Sequence, residues 1–294
     1  MRQVYSHLSH KLIRELIMLK IALAQIESRS DTLQKNLEKH FEMISKATEE
    51  EADLVIFPEL SLHGHCSGAQ AVEIGLTKQD KIIDDLAHHS ANITCIVGGI
   101  ESTRKGLYYN TSYVLRDGKV QAKHRKLNIP SYGNLDEGKY YCAGKSHTVF
   151  DLPEQGLKVG LLTCADSWNP ALVYTLALTG CQIILQPISA ALNAVKGDYN
   201  NQNGWQINLS HTAMTWGTFV VMVNRVGNDE DYEFFGGSSV IDPYGNSLKK
   251  MDDKEQLVVV TIDPKEIHKA RFNLPTLRDA QVGLISQLLH HFKN

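Results

Sequence analysis

A glutamate, a cationic cluster and a cysteine each follow an apolar run in this chain, and those residue types together can carry out acyl transfer. They are Glu59, closing Asp53-Leu-Val-Ile-Phe-Pro-Glu59; Lys126, in Lys123-His-Arg-Lys126; and Cys164, after Val159-Gly-Leu-Leu-Thr163. A thiol attacks a carbonyl and holds the acyl group as a thioester. A carboxylate takes and returns the proton, and an ammonium holds the charge that develops on the carbonyl oxygen. A carboxyl beneath apolar neighbours keeps its proton more readily, which suits a general base. Each residue also has a plainer reading: Glu59 as a charge where a strand meets solvent, Lys126 as solvated surface, and Cys164 as a buried small hydrophobe. Lys123 and Arg125 are read as surface cations. Leu127 and Ile129 set Lys126 apart from them.

The elements that must position these groups follow from periodicity. Cys164 stands between an apolar strand (157–162) and a helix running to about Thr179, the outline of a nucleophile elbow. The first N–H groups of that helix, Ala165 foremost, are candidate oxyanion donors, and its positive end is expected to lower the thiol pKa. Strands are predicted at 21–25, 54–57, 93–98, 183–186, 219–224, 234–241 and 257–262. Another pair, 108–115 and 120–124, flanks the hairpin signal Asp117-Gly118. Asp242-Pro-Tyr-Gly245 is a second turn, placed between 234–241 and 257–262. Helices are predicted over 31–51 with Asp31 as N-cap, over 80–90 and over 205–215, and a terminal helix over 285–292. Alternation of strand and helix with interspersed hairpins predicts an α/β chain with mixed sheets. No linker, low-complexity tract or internal repeat divides it. The organisation expected is 1–18 as an extension or short amphipathic helix (Leu8, Leu12, Leu16), 19–271 as one domain, and 272–294 as a tail that docks on a neighbour.

Composition narrows the partners. The formal net charge is −3, with 43% apolar and 21% charged residues, which gives no electrostatic case for nucleic acid or an anionic membrane. No apolar run reaches the length of a membrane span, and residues 1–20 do not read as a signal peptide. Met18 is the alternative start. Five widely spaced cysteines with no C-x-x-C pair argue against a disulfide framework, and a cytoplasmic location is expected. Cys95 and Cys181, in or beside apolar runs, are read as structural, and Cys142 as inert.

The three segments in this order resemble the nitrilase, or carbon–nitrogen hydrolase, superfamily. Pro58-Glu59-Leu60 is similar to its first catalytic segment, Lys126 to the lysine of its second, and Cys164-Ala-Asp166 to its nucleophile segment. Leu135-Asp136-Glu137-Gly138 resembles the loop that carries a second glutamate. Glu137 is the match and Asp136 the competing assignment. Further likeness lies in Gly98-Gly99, Tyr109-Asn110-Thr111-Ser112 and Gly236-Gly237-Ser238-Ser239. The resemblance covers about 21–271 and implies a four-layer α-β-β-α sandwich with two mixed sheets, assembled as a homodimer or higher homo-oligomer. It assigns Asp166 to holding the elbow, and Glu137 to keeping Lys126 charged and oriented. Ala165 follows the cysteine where many members have an aromatic residue, which places the chain on the amidase side. His63, His65 and Cys66 crowd a tetrahedral ion, so no metal is expected. His65, with Ala165 and Trp168, is expected to contact substrate.

The function expected is cysteine-dependent hydrolysis of a small linear amide through a thioester, without cofactor, releasing ammonia or an amine. Nitrile hydrolysis and a non-catalytic scaffold retaining the fold are the alternatives. The 294 residues contain no ATP-binding synthetase segment, so a fused glutamine-fed amidotransferase is not expected, while a free-standing glutaminase-like subunit stays open. The helix 171–178 is apolar on nearly every side, which points to burial against a two-fold mate.

Overall fold

Strand β1 (Leu19–Gln25) shows how the frame is built. Ile21 and Leu23 enter one core, while Ala22 and Ala24 enter another, beneath helix α1 (Leu33–Glu49). That division is the period of two of an extended chain, with small side chains where a helix lies close. The computed structural model describes residues 18–292, so the helix or extension expected over 1–18 falls, but for Met18, outside the described residues.

The first sheet joins β1 to β2 (Leu54–Ile56), β3 (Thr94–Ser102), β4 (Tyr108–Arg116), β5 (Lys119–Arg125) and β14 (Gln256–Ile262), in the order β14-β1-β2-β3-β4-β5. The second contains β6 (Thr148–Leu152), β7 (Leu157–Leu161), β8 (Ile183–Pro187), β9 (Phe219–Val223), β12 (Ser239–Ile241) and β13 (Ser247–Lys250), in the order β13-β12-β9-β8-β7-β6. In each sheet three central strands are parallel and the outer ones antiparallel. The plan of one sheet thus repeats in the other, although the sequence shows no repeat.

The two sheets meet through Ile21, Leu23, Leu54 and Ile96 on one side and Val159, Leu161, Leu185 and Val221 on the other. The outer face of the first sheet is covered by α1 and, after the one-turn α2 (Ala71–Ile74), by α3 (Lys81–His89). That of the second is covered by α4 (Pro170–Ala177) and α5 (Asn201–Trp216). The result is an α/β fold of four layers, α-β-β-α, with two mixed sheets. Leu176 of α4 seats directly on Gly160 of β7, where an added Cβ would lie 2.9 Å from a Leu176 methyl.

Several local expectations are corrected. Thr32, not Asp31, occupies the N-cap of α1, without a side-chain bond, while Asp31 pairs with Arg29 at 3.4 Å. The run 234–241 is two strands. Gly236 and Gly237 take φ of 61° and 70°, ending β11 (Tyr232–Phe235), which pairs with β10 (Val226–Asp229), before β12 begins. The turn 242–245 joins β12 to β13, and β14 belongs to the other sheet. β13 was missed because Ser-Leu-Lys-Lys is exposed throughout and carries no apolar period. The apolar helix α4 is only partly uncovered. Val173, Leu176 and Ala177 are buried, and the Tyr174 hydroxyl donates to the Ala280 carbonyl at 2.8 Å, so the chain's own tail lies against it. The terminal helix α7 (Val282–His290), preceded by α6 (Lys265–Asn273), has no buried residue within the chain.

Candidate active site

Glu59 lies just past β2, and the turn that presents it is tight. Leu60 has φ 52°, and a Cβ on Gly98 would meet the Leu60 nitrogen at 2.5 Å. Only glycine at 98 lets β3 pass under this turn. Strain held in place by surrounding packing is typical of functional positions. The Glu59 N–H donates to the Ile188 carbonyl at 3.3 Å, tying this loop to the one after β8.

Lys126, directly after β5, is fully buried. Its Nζ donates to Glu59 Oε1 at 2.7 Å and to Glu137 Oε1 and Oε2 at 2.7 and 2.9 Å. Burial opposes the ammonium charge, but the Glu137 and Glu59 carboxylates outweigh it and hold the Lys126 pKa well above the ordinary lysine range. Burial raises the Glu137 carboxyl, with Lys126 opposing. Asp136, the competing assignment, faces away and pairs with Lys139 at 2.9 Å on the surface. Asn110, on β4, donates to Glu59 Oε1 at 2.8 Å and to Glu137 Oε2 at 3.4 Å. It belongs to the run Tyr109-Asn110-Thr111-Ser112. Its signal was an amide in the middle of a buried strand. Glu59 Oε2 is buried and has no partner among the described residues.

Cys164 opens a single 3-10 turn, Cys164–Trp168, and has φ 46°. The α-helix starts only at Pro170. This revises the expected elbow, and it revises the thiol. Burial first, then the Glu59 charge, raise the Cys164 pKa well above the ordinary thiol range, against the opposing pull of Lys126 and a hydrogen bond from the Ser189 backbone. Five residues of 3-10 turn do not sum to the dipole expected of a helix. The thiol therefore rests protonated and needs a base. The Ala165 N–H has no acceptor among the described residues.

Asp166 ties the Lys126 and Cys164 segments together. Its Oδ2 accepts from the Thr163 N–H at 2.9 Å and lies 2.9 Å from His124 Nε2, and its Oδ1 accepts from the Leu127 and Asn128 N–H groups at 2.8 and 2.7 Å. The turn bearing Cys164 is thus bonded to the backbone just after Lys126. His124, fully buried, was missed because it sits in a cationic run that reads as surface.

The thiol faces a cavity of about 410 Å³ whose wall includes His65, Glu137, Ala165, Trp168, Ser189 and Trp205. The residues expected to contact substrate, His65, Ala165 and Trp168, therefore share this cavity with Cys164. Burial pushes the His65 imidazole down to about 4, so it is neutral near pH 7. His63 is engaged elsewhere, between the Ile74 carbonyl and the Ile100 N–H, and the Cys66 thiol donates to the Asp229 carbonyl. The three do not converge on one point.

Fold and site together define an α/β protein of two sandwiched mixed sheets with a glutamate–lysine–glutamate cluster buried behind a cysteine. The carbon–nitrogen hydrolase family model matches residues 20–272. This chain belongs to the carbon–nitrogen hydrolase family. A glutamine-dependent NAD(+) synthetase from Thermotoga maritima is 26% identical over 94% of this chain but only 49% of its own length; the chain spans about half the length of such relatives. An (R)-stereoselective amidase from a Pseudomonas species is 27% identical over 93% of this chain and 95% of its own. A carbon–nitrogen hydrolase structure from Helicobacter pylori superposes with a TM-score of 0.80 at 24% identity, covering 93% of this chain and 99% of that one.

Proposed function

We propose that the chain hydrolyses the carbon–nitrogen bond of a small linear amide through a thioester on Cys164. The observation that carries this is the fully buried Lys126 held between Glu59 and Glu137 beside a cavity that Cys164 lines. Glu59 is the general base, and its unpartnered Oε2 takes the thiol proton as Sγ attacks the carbonyl carbon. The tetrahedral oxyanion forms beside the Ala165 N–H and the Lys126 charge. Lys126 also bonds both oxygens of Glu137, so a shift of that carboxylate to one oxygen frees a donor for the oxyanion. Glu59 then returns the proton to the departing nitrogen, releasing ammonia or an amine. Water, activated by the same carboxylate, opens the thioester to the acid.

A fixed cation and one N–H aimed at a developing oxyanion lower a barrier by about 3 kcal/mol per donor. The buried cluster supports hydrolysis over a scaffold role. Holding three ionisable groups out of water costs several kcal/mol per ion, a cost that a role in the chemistry accounts for. Similarity to glutamine-dependent synthetases favours a second reading, in which the released ammonia feeds a synthetase and glutamine is the substrate. The experiment is ammonia release from a panel of amides, with intact-mass detection of the acyl-enzyme. Cys164→Ala should abolish both signals, and retention of more than a few per cent of activity would overturn the mechanism.

A further inference from the structure

The cavity beside Cys164 differs in its two ends, and its far end bears on substrate. Aromatic edges dominate the wall: the Trp168 and Trp205 ring centroids are 5.0 Å apart, and Tyr199 stands 6.2 Å from Trp168 at the rim. Ala190, Ala194 and Val195 complete an apolar surface, and among the described residues no lysine or arginine lines the cavity. The nearby buried cations, Lys126 and Arg225, lie outside this wall. Lys126 lies between two carboxylates. Arg225 pairs with Asp229 through Nη1 at 3.2 Å and stacks on Phe234 at 4.1 Å; its Nε and Nη2 have no partner among the described residues, but it does not line the cavity.

The two asparagines of the wall are committed to the backbone. Asn128 Nδ2 donates to the Ala165 carbonyl at 2.8 Å, and Asn201 Nδ2 to the Ala191 carbonyl at 2.7 Å. Two buried groups remain without partners among the described residues, Ser189 Oγ and His65 Nδ1, and both belong to neutral side chains near pH 7. A carboxylate on the substrate would enter this space with no cation to meet it. It would also lie beside a cluster of two carboxylates and one ammonium. Burying an unpaired charge is among the largest penalties a site can impose.

Resting on the reading of Cys164 as nucleophile, we propose that the acyl portion of the substrate is uncharged and apolar, an aryl or branched alkyl group packed on the Trp168–Trp205 wall, and that free glutamine is a poor substrate. The unpartnered Ser189 hydroxyl and His65 imidazole then serve neutral polar atoms of the substrate. This separates the chain from a glutamine-fed ammonia supply while leaving the thioester chemistry unchanged.

The test compares kcat/KM for phenylacetamide and isobutyramide with that for glutamine and succinamic acid. The same four compounds are then titrated into Cys164→Ala protein to measure binding without turnover. The neutral amides should exceed the charged ones by about 10²-fold or more in both measurements. Val195→Arg, which places a cation in the wall, should narrow that ratio by raising the glutamine value. Glutamine or succinamic acid equal to or better than phenylacetamide would overturn the inference and leave amide hydrolysis standing. Tighter binding of the neutral amides without hydrolysis of any compound would uphold the pocket assignment and sink the catalytic reading. No preference in either measurement would overturn the inference.

Discussion

Replacing Lys126 by methionine removes the one cation between two buried carboxylates and keeps most of the side-chain volume. With Nζ at 2.7 Å from an oxygen of each carboxylate, each pair is worth roughly 6 kcal/mol of gross attraction at an effective dielectric near 20. Burying the three ions offsets much of that, so the net loss follows the behaviour of broken buried pairs, about 3–5 kcal/mol. At about 2–4 °C per kcal/mol for a chain of this order of size, Tm should fall by roughly 6–20 °C. The deficit should depend on pH. Burial already raises the Glu137 carboxyl despite Lys126, and without the cation that rise grows. A carboxyl whose folded pKa is raised contributes stability below its unfolded range and loses it as pH rises through the folded value. Lys126 itself stays charged throughout this window, its pKa being raised further. Differential scanning calorimetry should therefore show a smaller gap between wild type and Lys126→Met at pH 5 than at pH 8. Lys126→Met with Glu137→Gln should recover stability but not activity. A deficit under 1 kcal/mol, or one that does not change with pH, would refute the account of the cluster.

The remaining expectations concern the nucleophile, its brace and the outer face. Glu59→Gln should lower kcat for amide hydrolysis by about 10²-fold or more by removing the proton acceptor, while the rate of iodoacetamide alkylation of Cys164 does not fall with it, since the lost charge is one that raises the thiol. In the wild type that rate should keep climbing with pH, since burial and Glu59 raise the thiol; a rate already at plateau near pH 7 would contradict the protonated resting thiol. Asp166→Asn weakens the bonds from Thr163, Leu127, Asn128 and His124 and should cost about 1.5–3 kcal/mol in urea unfolding, with kcat falling more than KM changes. A variant of unchanged kcat would show that the brace does not set the position of Cys164. We propose that the chain assembles as a homodimer covering α7, where Val282, Leu284, Leu288 and Leu289 are about half exposed. Leu288→Glu should then lower the sedimenting mass, and a monomeric wild type at assay concentration would dismiss the interface. Leu176→Glu does not test it, because Leu176 is fully buried against Gly160.

The sequence by itself determined the strands that lead into Glu59 and Cys164, the Asp117-Gly118 hairpin before Lys126, the mixed α/β class and the family. Each is written locally, as an apolar run closed by one polar residue or a turn pair with positive φ at both positions. What only the tertiary structure decided depends on register between distant strands. Asn110 reaches Glu59 across 51 positions, and His124 reaches Asp166 across 42, so neither partner is visible in its own segment. The choice of Glu137 over Asp136 rests on which side of one short turn points inward, and adjacent residues of the same charge offer no periodicity to tell them apart. The thiol pKa was misjudged for a related reason. A helix start can be read from sequence, whereas burial and the carboxylates that outweigh it exist only once the two sheets have closed over the site.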